Sequence, residues 1–168
     1  MAQVMTNPKV SVTSEQMTNE SSEILGPDNP CEVLAPQIQT VPLVFASPHS
    51  GRRYPAEFVE NSLLDAVTIR RSEDSFVDEL FASAPGHGAP LLHAHFPRAF
   101  IDANREPFEL DPNMFEDELP DYANTQSNRV AAGLGTVARI VANGHDIYRD
   151  KLRFADIATR INDYYRPY

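Results

Sequence analysis

Two short loops contain the side chains best suited to chemistry, and each loop follows an apolar run. The loop at residues 97–105 contains Arg98, Asp102, Asn104 and Arg105. An arginine presents a planar fork of donors that matches a carboxylate at two points. The asparagine adds a neutral donor and acceptor, and Asp102 is placed to hold an arginine from behind. This set predicts a site for an anionic ligand, and the alternative is a solvated ion-pair cluster.

The other loop contains a candidate metal ligand. His49 follows the apolar run 41–47, and Gly51 permits a tight turn after it. An imidazole at the end of a buried strand can bind a metal, although a single histidine is more often a hydrogen-bonded structural group. Ser50 lies outside any Gly-x-Ser-x-Gly pattern, which argues against a serine hydrolase.

Paired carboxylates begin the segment 73–84, whose apolar spacing predicts an amphipathic helix. Glu73 and Asp74 fall in its first turn, where acidic groups favour the helix dipole without any other role. The alternative is that one of them reaches the site as a metal ligand. His93 and His95 have strand spacing on one face, and they provide either half of a metal site or two structural histidines.

Composition narrows the class of protein. The chain has 168 residues, with 24 acidic and 14 basic side chains and a formal net charge of −10. This balance argues against nucleic acid as the main partner but allows a local basic pocket for a small anion. The single cysteine, Cys31, excludes an intrachain disulfide and a cysteine-rich zinc site. Without a membrane-length apolar run or a signal-peptide pattern, we expect a soluble cytoplasmic protein.

The chain divides into a tail and one domain. Residues 1–35 contain many Ser, Thr, Asn, Glu and Pro residues, so we expect a disordered N-terminal tail. Residues 36–168 are long enough for a core. Within them, apolar runs predict strands at 41–47, 91–96 and 136–141 and an extended piece at 145–148. A helix is predicted over 150–165, with a face formed by Leu152, Ala155, Ala158, Ile161 and Tyr165.

Several of these segments together resemble the N-formylglutamate amidohydrolase family. The matching motifs occur in order at 47–51, 73–80, 101–105, 133–136 and 164–168. The resemblance implies a three-layer α/β/α fold with a mixed sheet, like that of the zinc-dependent exopeptidases. It also implies hydrolysis of a small N-acyl amino acid, N-formyl-L-glutamate, to formate and L-glutamate, late in histidine breakdown.

The resemblance also implies a zinc site. His49 would be one ligand and Asp74 the second, with Glu73 as the close alternative. The related exopeptidases have a glutamate three residues after the histidine, where this sequence has Arg52. A zinc ion would lower the pKa of a bound water to about 7 and so activate it for attack on a formamide.

Substrate contacts are implied at the loop 97–105. Asp102, Asn104 and Arg105 match an Asp-x-Asn-Arg pattern in which Asn and Arg hold the substrate carboxylate. Arg98 would stabilise the oxyanion that develops at the scissile carbonyl, and it is the expected catalytic residue.

Two further elements of the family have no counterpart in this sequence. These are a histidine in an Asp-x-His-Ser pattern, expected as the third metal ligand, and a later carboxylate that serves as general base. The chain therefore resembles the first three-fifths or so of an amidohydrolase, and we expect it to be an inactive fragment. The alternative is a non-catalytic module that binds carboxylates or another protein through the Asn-Arg loop.

Overall fold

The computed structural model describes residues 29–168. Short strands and helices alternate along this part of the chain. The strands are β1 Cys31–Leu34, β2 Phe45–Ser47, β3 Leu91–Ala94, β4 Ile140–Val141 and β5 His145–Asp146. The α-helices are α1 Ala56–Glu60, α2 Val77–Leu80, α3 Asn128–Ala131 and α4 Phe154–Arg160, and a π-helix, Ile161–Tyr165, continues α4. Short 3₁₀ turns lie at Ile69–Ser72, Ala84–His87 and Pro112–Met114.

A three-stranded mixed sheet positions both loops. β3 lies in the middle, antiparallel to β1 and parallel to β2. Because β2 and β3 are parallel, their carboxyl ends lie at the same edge, and the loops that follow them meet there. The predicted α/β class with a mixed sheet is confirmed.

The loop 97–105 rests on the hydrophobic core. Phe96, directly before the loop, and Ile101, in its middle, are completely buried, and Phe100 is 6% exposed. Each fully buried side chain of this size contributes about 1.5–3 kcal/mol, so the loop is firmly anchored. Other fully buried apolar residues come from later segments; they are Leu110, Val137, Val141, Ile147, Ile157 and Ile161.

Two predicted boundaries are wrong. Residues 31–34 were assigned to a disordered tail, but they form β1, whose backbone pairs with β3. The rest of the predicted tail, residues 1–28, lies outside the described residues. The predicted strand 41–47 shortens to β2, because only Phe45–Ser47 pairs with β3. Leu43 and Val44 are exposed rather than buried.

The predicted amphipathic helix over 73–84 is also wrong, since only Val77–Leu80 is helical there. Glu73 is extended, and the amide of Asp74 donates to the carbonyl of His49 at 3.0 Å. Phe76 then adopts a left-handed conformation, with φ at 64°. The apolar stripe is largely exposed, at Phe76, Leu80 and Phe81. The backbone before α2 therefore forms a hydrogen bond with His49, and the helix does not extend back to residue 73.

The remaining strands and the last helix are shorter than predicted. The predicted strand 136–141 is reduced to β4. At its start, the amide of Thr136 donates to the carbonyl of Glu109, and the carbonyl of Thr136 accepts from the amide of Asp102, so Thr136 bonds to loops instead of a neighbouring strand. The extended piece 145–148 is reduced to β5. The helix 150–165 begins only at Phe154 and widens to a π-helix at Ile161–Tyr165. Its buried face includes Ile157, which the prediction omitted, and excludes Ala155.

We expect Gly51→Ala to destabilise the fold by about 3 kcal/mol, as overpacking does when the neighbours cannot move. A Cβ at Gly51 would clash with the backbone carbonyl oxygen of Phe96. Chemical denaturation measures the effect. Gly86→Ala is the matched control, because no atom lies within 4 Å of its added Cβ. Equal stability of the two variants would show that the loops are not packed against each other.

Candidate active site and metal centre

A buried histidine lies between two carboxylates. His49 is 6% exposed. Its Nδ1 lies 3.2 Å from Oδ2 of Asp74, and its Nε2 lies 2.8 Å from Oδ1 of Asp102. The structure therefore joins three residues that are far apart in the sequence and that the sequence analysis selected separately.

Backbone hydrogen bonds bring these three residues together. The carbonyl of His49 accepts from the amide of Asp74, which places that carboxylate beside the imidazole. On the other side, the amide of Asp102 donates to the carbonyl of Thr136. The two carboxylates that hold the ring of His49 therefore belong to residues that the main chain fixes in place, as a precise binding site requires.

Asp102 accepts from several donors at once. Its Oδ1 accepts from His49 and from the amide of Asn104 at 2.9 Å, and its Oδ2 accepts from Nε of Arg98 at 3.0 Å. Nε of Arg105 lies 3.5 Å from the same Oδ2. Burial alone would raise the pKa of Asp102, but the hydrogen bond from His49 and the charges of His49 and Arg98 outweigh it and lower the pKa. Asp102 therefore stays ionised and directs its oxygens at protein groups.

Glu73 and Asp74 have different partners, although they are adjacent. Oε1 of Glu73 accepts from the hydroxyl of Tyr54 at 2.7 Å and lies 3.2 Å from Nε of Arg70. Burial, followed by the hydrogen bond to Glu73, raises the pKa of Tyr54. Of Glu73 and Asp74, only Asp74 contacts His49. Of the two carboxylates, Asp74 is thus the one placed to share a metal with His49.

A cleft of about 310 Å³ opens beside this cluster. Asp74, Arg98 and Asp102 line it on the polar side, and Leu134, Ala138 and Ile140 are among the apolar residues opposite. Arg71 also lines the cleft. The sequence analysis did not select Arg71, although its position directly before Ser72 and the paired carboxylates was a usable signal. The two arginines and the apolar wall suit an anion that carries a short aliphatic chain, and the carboxylates of Glu73, Asp74 and Asp102 line the same cleft.

The Asn-Arg pair lies beside this cleft, and neither Asn104 nor Arg105 is among the described residues that line it. Arg105 donates from Nη1 to the carbonyl of Asn104 at 3.2 Å and from Nε to the carbonyl of Leu134 at 3.3 Å. The hydroxyl of Tyr165, in the π-helix, donates to the carbonyl of Arg105 at 2.6 Å. The structure therefore shows Arg105 tying the loop 97–105 to the residues of the cleft wall.

The other two candidate histidines lie apart from this cluster, His93 on β3 and His95 directly after it. His93 and His95 are on one face, as the strand spacing predicted, and both approach Glu32 on β1. Burial and then the neighbouring His95 lower the pKa of His93. Glu32 was missed because it lies in the segment that was assigned to the tail.

A model of the N-formylglutamate amidohydrolase family matches residues 41–168. The crystal structure of N-formylglutamate amidohydrolase from Ralstonia eutropha JMP134 is 37% identical, with a TM-score of 0.75 over 82% of this chain and 48% of that chain. This chain therefore spans about half the length of that protein, 48%. No curated protein matches.

None of the helices in residues 29–168 is long and apolar enough to cross a membrane. The family match covers most of the chain and includes His49, Asp74 and the whole loop 97–105. The chain belongs to the N-formylglutamate amidohydrolase family.

Proposed function

We propose that this chain provides the metal-binding and substrate-binding groups for hydrolysis of N-formyl-L-glutamate to formate and L-glutamate. The observation that carries the proposal is the contact of His49 with Asp74 on one ring nitrogen and with Asp102 on the other. The family resemblance alone supports the other parts of the proposal, which are zinc as the metal, the exopeptidase-like three-layer fold, a role in histidine breakdown and a cytoplasmic location.

The donor set around His49 fits a zinc ion. His49 and Asp74 would hold the metal through Nδ1 and Oδ2, with Glu73 kept away by Tyr54 and Arg70. Metal-binding histidines usually give their other ring nitrogen to a carboxylate, which fixes the ring, and Asp102 supplies that group. When bound, zinc supplies a water with a pKa of about 7.

We assign Asp102 to orienting His49 and the arginines, because its oxygens accept from His49 and Arg98 and lie 3.5 Å from Nε of Arg105. Arg98 keeps its proposed role at the scissile carbonyl, since it lines the cleft beside Asp74. A substrate with two carboxylates requires further cationic or amide contacts. We propose Asn104 and Arg105 for one carboxylate, as the family pattern implies, and Arg71 for the other.

The described residues supply two ligands to this metal, whereas catalytic zinc sites usually have three protein ligands. Two ligands hold zinc weakly and do not fix its geometry. This observation favours a second candidate function, in which the chain by itself binds dicarboxylates without hydrolysing them.

We expect the chain to bind N-formyl-L-glutamate at least about tenfold more tightly than N-formyl-L-leucine, which lacks the second carboxylate and so about 1.4 kcal/mol or more of binding energy. With added Zn²⁺, formate release should stay below about 0.1 s⁻¹, roughly a hundredfold under a median enzyme. The reason is that residues 29–168 supply two of the three usual zinc ligands, and none of them matches the general base that the family resemblance implies. Titration calorimetry and a formate assay measure the two quantities.

Equal affinity for the two formylated amino acids, or no affinity for either, would refute the proposed substrate. Formate release at about 10 s⁻¹ would instead show that two protein ligands suffice, and would exclude the purely binding role. The Ralstonia protein serves as the positive control for the assay.

A further inference from the structure

A second group of metal-binding side chains lies on the sheet, across β1 and β3. Glu32 and His93 are directly opposite each other in the antiparallel register, and His95 comes two residues later on the same face. Opposite and diagonal positions on one face of such a pair bring side chains into reach of each other. Sheet pairing itself, extended by the bond from the amide of His95 to the carbonyl of Pro30 at 2.8 Å, therefore builds this cluster.

The distances in the cluster suit a small cation. Oε2 of Glu32 lies 3.5 Å from Nε2 of His93 and 3.7 Å from Nε2 of His95. The three ligand atoms all lie within 4.8 Å of one another. Ligands at zinc-like bond lengths of about 2.0–2.1 Å in a tetrahedron are about 3.3 Å apart, so small side-chain movements would complete the geometry.

The ring of His95 is already oriented for binding. Its Nδ1 lies 2.9 Å from the carbonyl oxygen of Asn29, which can only accept, and 3.2 Å from Nη1 of Arg53, which can only donate. We assign the proton to Nδ1 because the contact with Asn29 is the shorter of the two. Nε2, with its lone pair, then faces Glu32. This arrangement, a backbone carbonyl behind a ligating imidazole, is typical of metal-bound histidines.

His93 supplies independent support. Its Nε2 is buried and has no hydrogen-bond partner among the described residues. A buried polar atom without a partner costs about 1–3 kcal/mol, and a cation between His93 and Glu32 would remove that cost. A second cleft, of about 200 Å³, is lined by Glu32, His93 and His95 among other residues. Asp78 also lines it, and Oδ1 of Asp78 is likewise buried without a hydrogen-bond partner in residues 29–168.

Charges around the cleft have both signs. Glu32 and Asp78 contribute two carboxylates, and Arg52 and Arg53 also line the cleft. Arg52 is held by Asp78 at 3.2 Å and by Glu79 at 2.6 Å. Arg53 approaches His95 on its Nδ1 side, at 3.2 Å, away from the Nε2 that faces Glu32.

We propose that Glu32, His93 and His95 form a divalent transition-metal site, separate from the His49 cluster, that takes Zn²⁺ through two imidazoles and one carboxylate. Glu32 precedes residue 41, where the family match begins, whereas His93 and His95 lie inside the matched segment. Because the ligands come from two strands, the metal fastens the edge strand β1 to β3. The half-exposed Glu32 leaves a fourth position open to water.

Zinc binding to the full chain tests the proposal, with equilibrium dialysis and metal analysis as the readout. Asp74→Asn is used as the background, because it weakens the other candidate site through a side chain that is 52% exposed. In this background we expect one Zn²⁺ per chain. Adding Glu32→Gln or His93→Gln should weaken that binding at least tenfold, whereas His87→Ala, at an exposed histidine in a turn, should leave it unchanged.

A second readout separates a ligand from a structural residue. Zn²⁺ should raise the melting temperature of the Asp74→Asn protein and not that of the Glu32→Gln double variant, since a bound ligand stabilises only the state that binds it. Glu32 is half-exposed, so its replacement tests the site even if the His93 variant fails to fold. Absence of bound zinc in the Asp74→Asn protein, or binding that Glu32→Gln leaves unchanged, would overturn the proposal.

Discussion

Replacing Asp102 with alanine is expected to lower the free energy of unfolding at pH 7 by about 3–5 kcal/mol, the usual cost of removing one partner from a buried charged group. The carboxylate is 4% exposed. Its loss leaves the Nε2 of His49, the Nε of Arg98 and the amide of Asn104 without their acceptor. His49 is itself buried, so its ring nitrogen has little access to water in place of the lost carboxylate.

The stability that Asp102 provides should depend on pH in a defined direction. The pKa of Asp102 is lowered in the folded state from its ordinary 3.8, so protonation favours the unfolded state. Its contribution is therefore present above pH 3.8 and is lost as the pH falls through the folded-state pKa. The wild-type protein and Asp102→Asn should differ most near neutral pH and become more similar below that value.

Urea denaturation at neutral and acidic pH measures both effects. Asp121→Ala, at an exposed acidic residue, is the control and should change stability by less than about 0.5 kcal/mol. If Asp102→Ala were equally mild, the contacts of Asp102 would not hold the site together. A gap that widened on acidification would contradict the sign of its pKa shift.

The second large effect is expected in ligand binding. Arg98→Ala should weaken the binding of N-formyl-L-glutamate by about 2–5 kcal/mol, which is roughly 30-fold to 4,000-fold. Arg98 lines the cleft, and its bond to Asp102 uses only the donor on Nε of the five that a guanidinium carries. Titration calorimetry at one zinc concentration gives the dissociation constants.

Further variants separate substrate contact from support of Asp102. Arg98→Lys keeps the charge but lacks the planar fork, so it should restore stability more than it restores affinity. Arg105→Ala tests the carboxylate contact that the family pattern implies. Arg153→Ala removes an exposed arginine paired with Asp156 and should leave affinity unchanged. If Arg98→Ala bound the ligand within twofold of wild type, Arg98 would serve only to hold Asp102.

His49 and Asp102 could be selected as candidates from the sequence because each belongs to a polar loop that follows an apolar run. His49 and Asp102 follow apolar runs, and parallel pairing of β2 with β3 brings their loops to one edge. The choice between Glu73 and Asp74 was not predictable. It depends on the direction of the backbone, which turns Glu73 towards Tyr54 and Asp74 towards His49.

Long-range pairing explains the other failures. Glu32 is a candidate ligand only because β1 pairs with β3, some sixty residues later, and its polar surroundings gave no sign of a strand. The periodicity at 73–84 did indicate an apolar helix face. It was overridden because the amide of Asp74 bonds to His49 and Phe76 turns left-handed, and neither feature has a signature in hydrophobic spacing.

The π-helix at Ile161–Tyr165 sets the direction in which Tyr165 points. One extra residue is accommodated in that wide turn, and Tyr165 thereby reaches the carbonyl of Arg105, 60 residues earlier. An ordinary α-helical turn over the same residues would rotate everything after it by about 100°. Tyr165 would then leave the loop 97–105. The support of the ligand-binding loop therefore depends on the width of this helical turn as well as on the residue types within it.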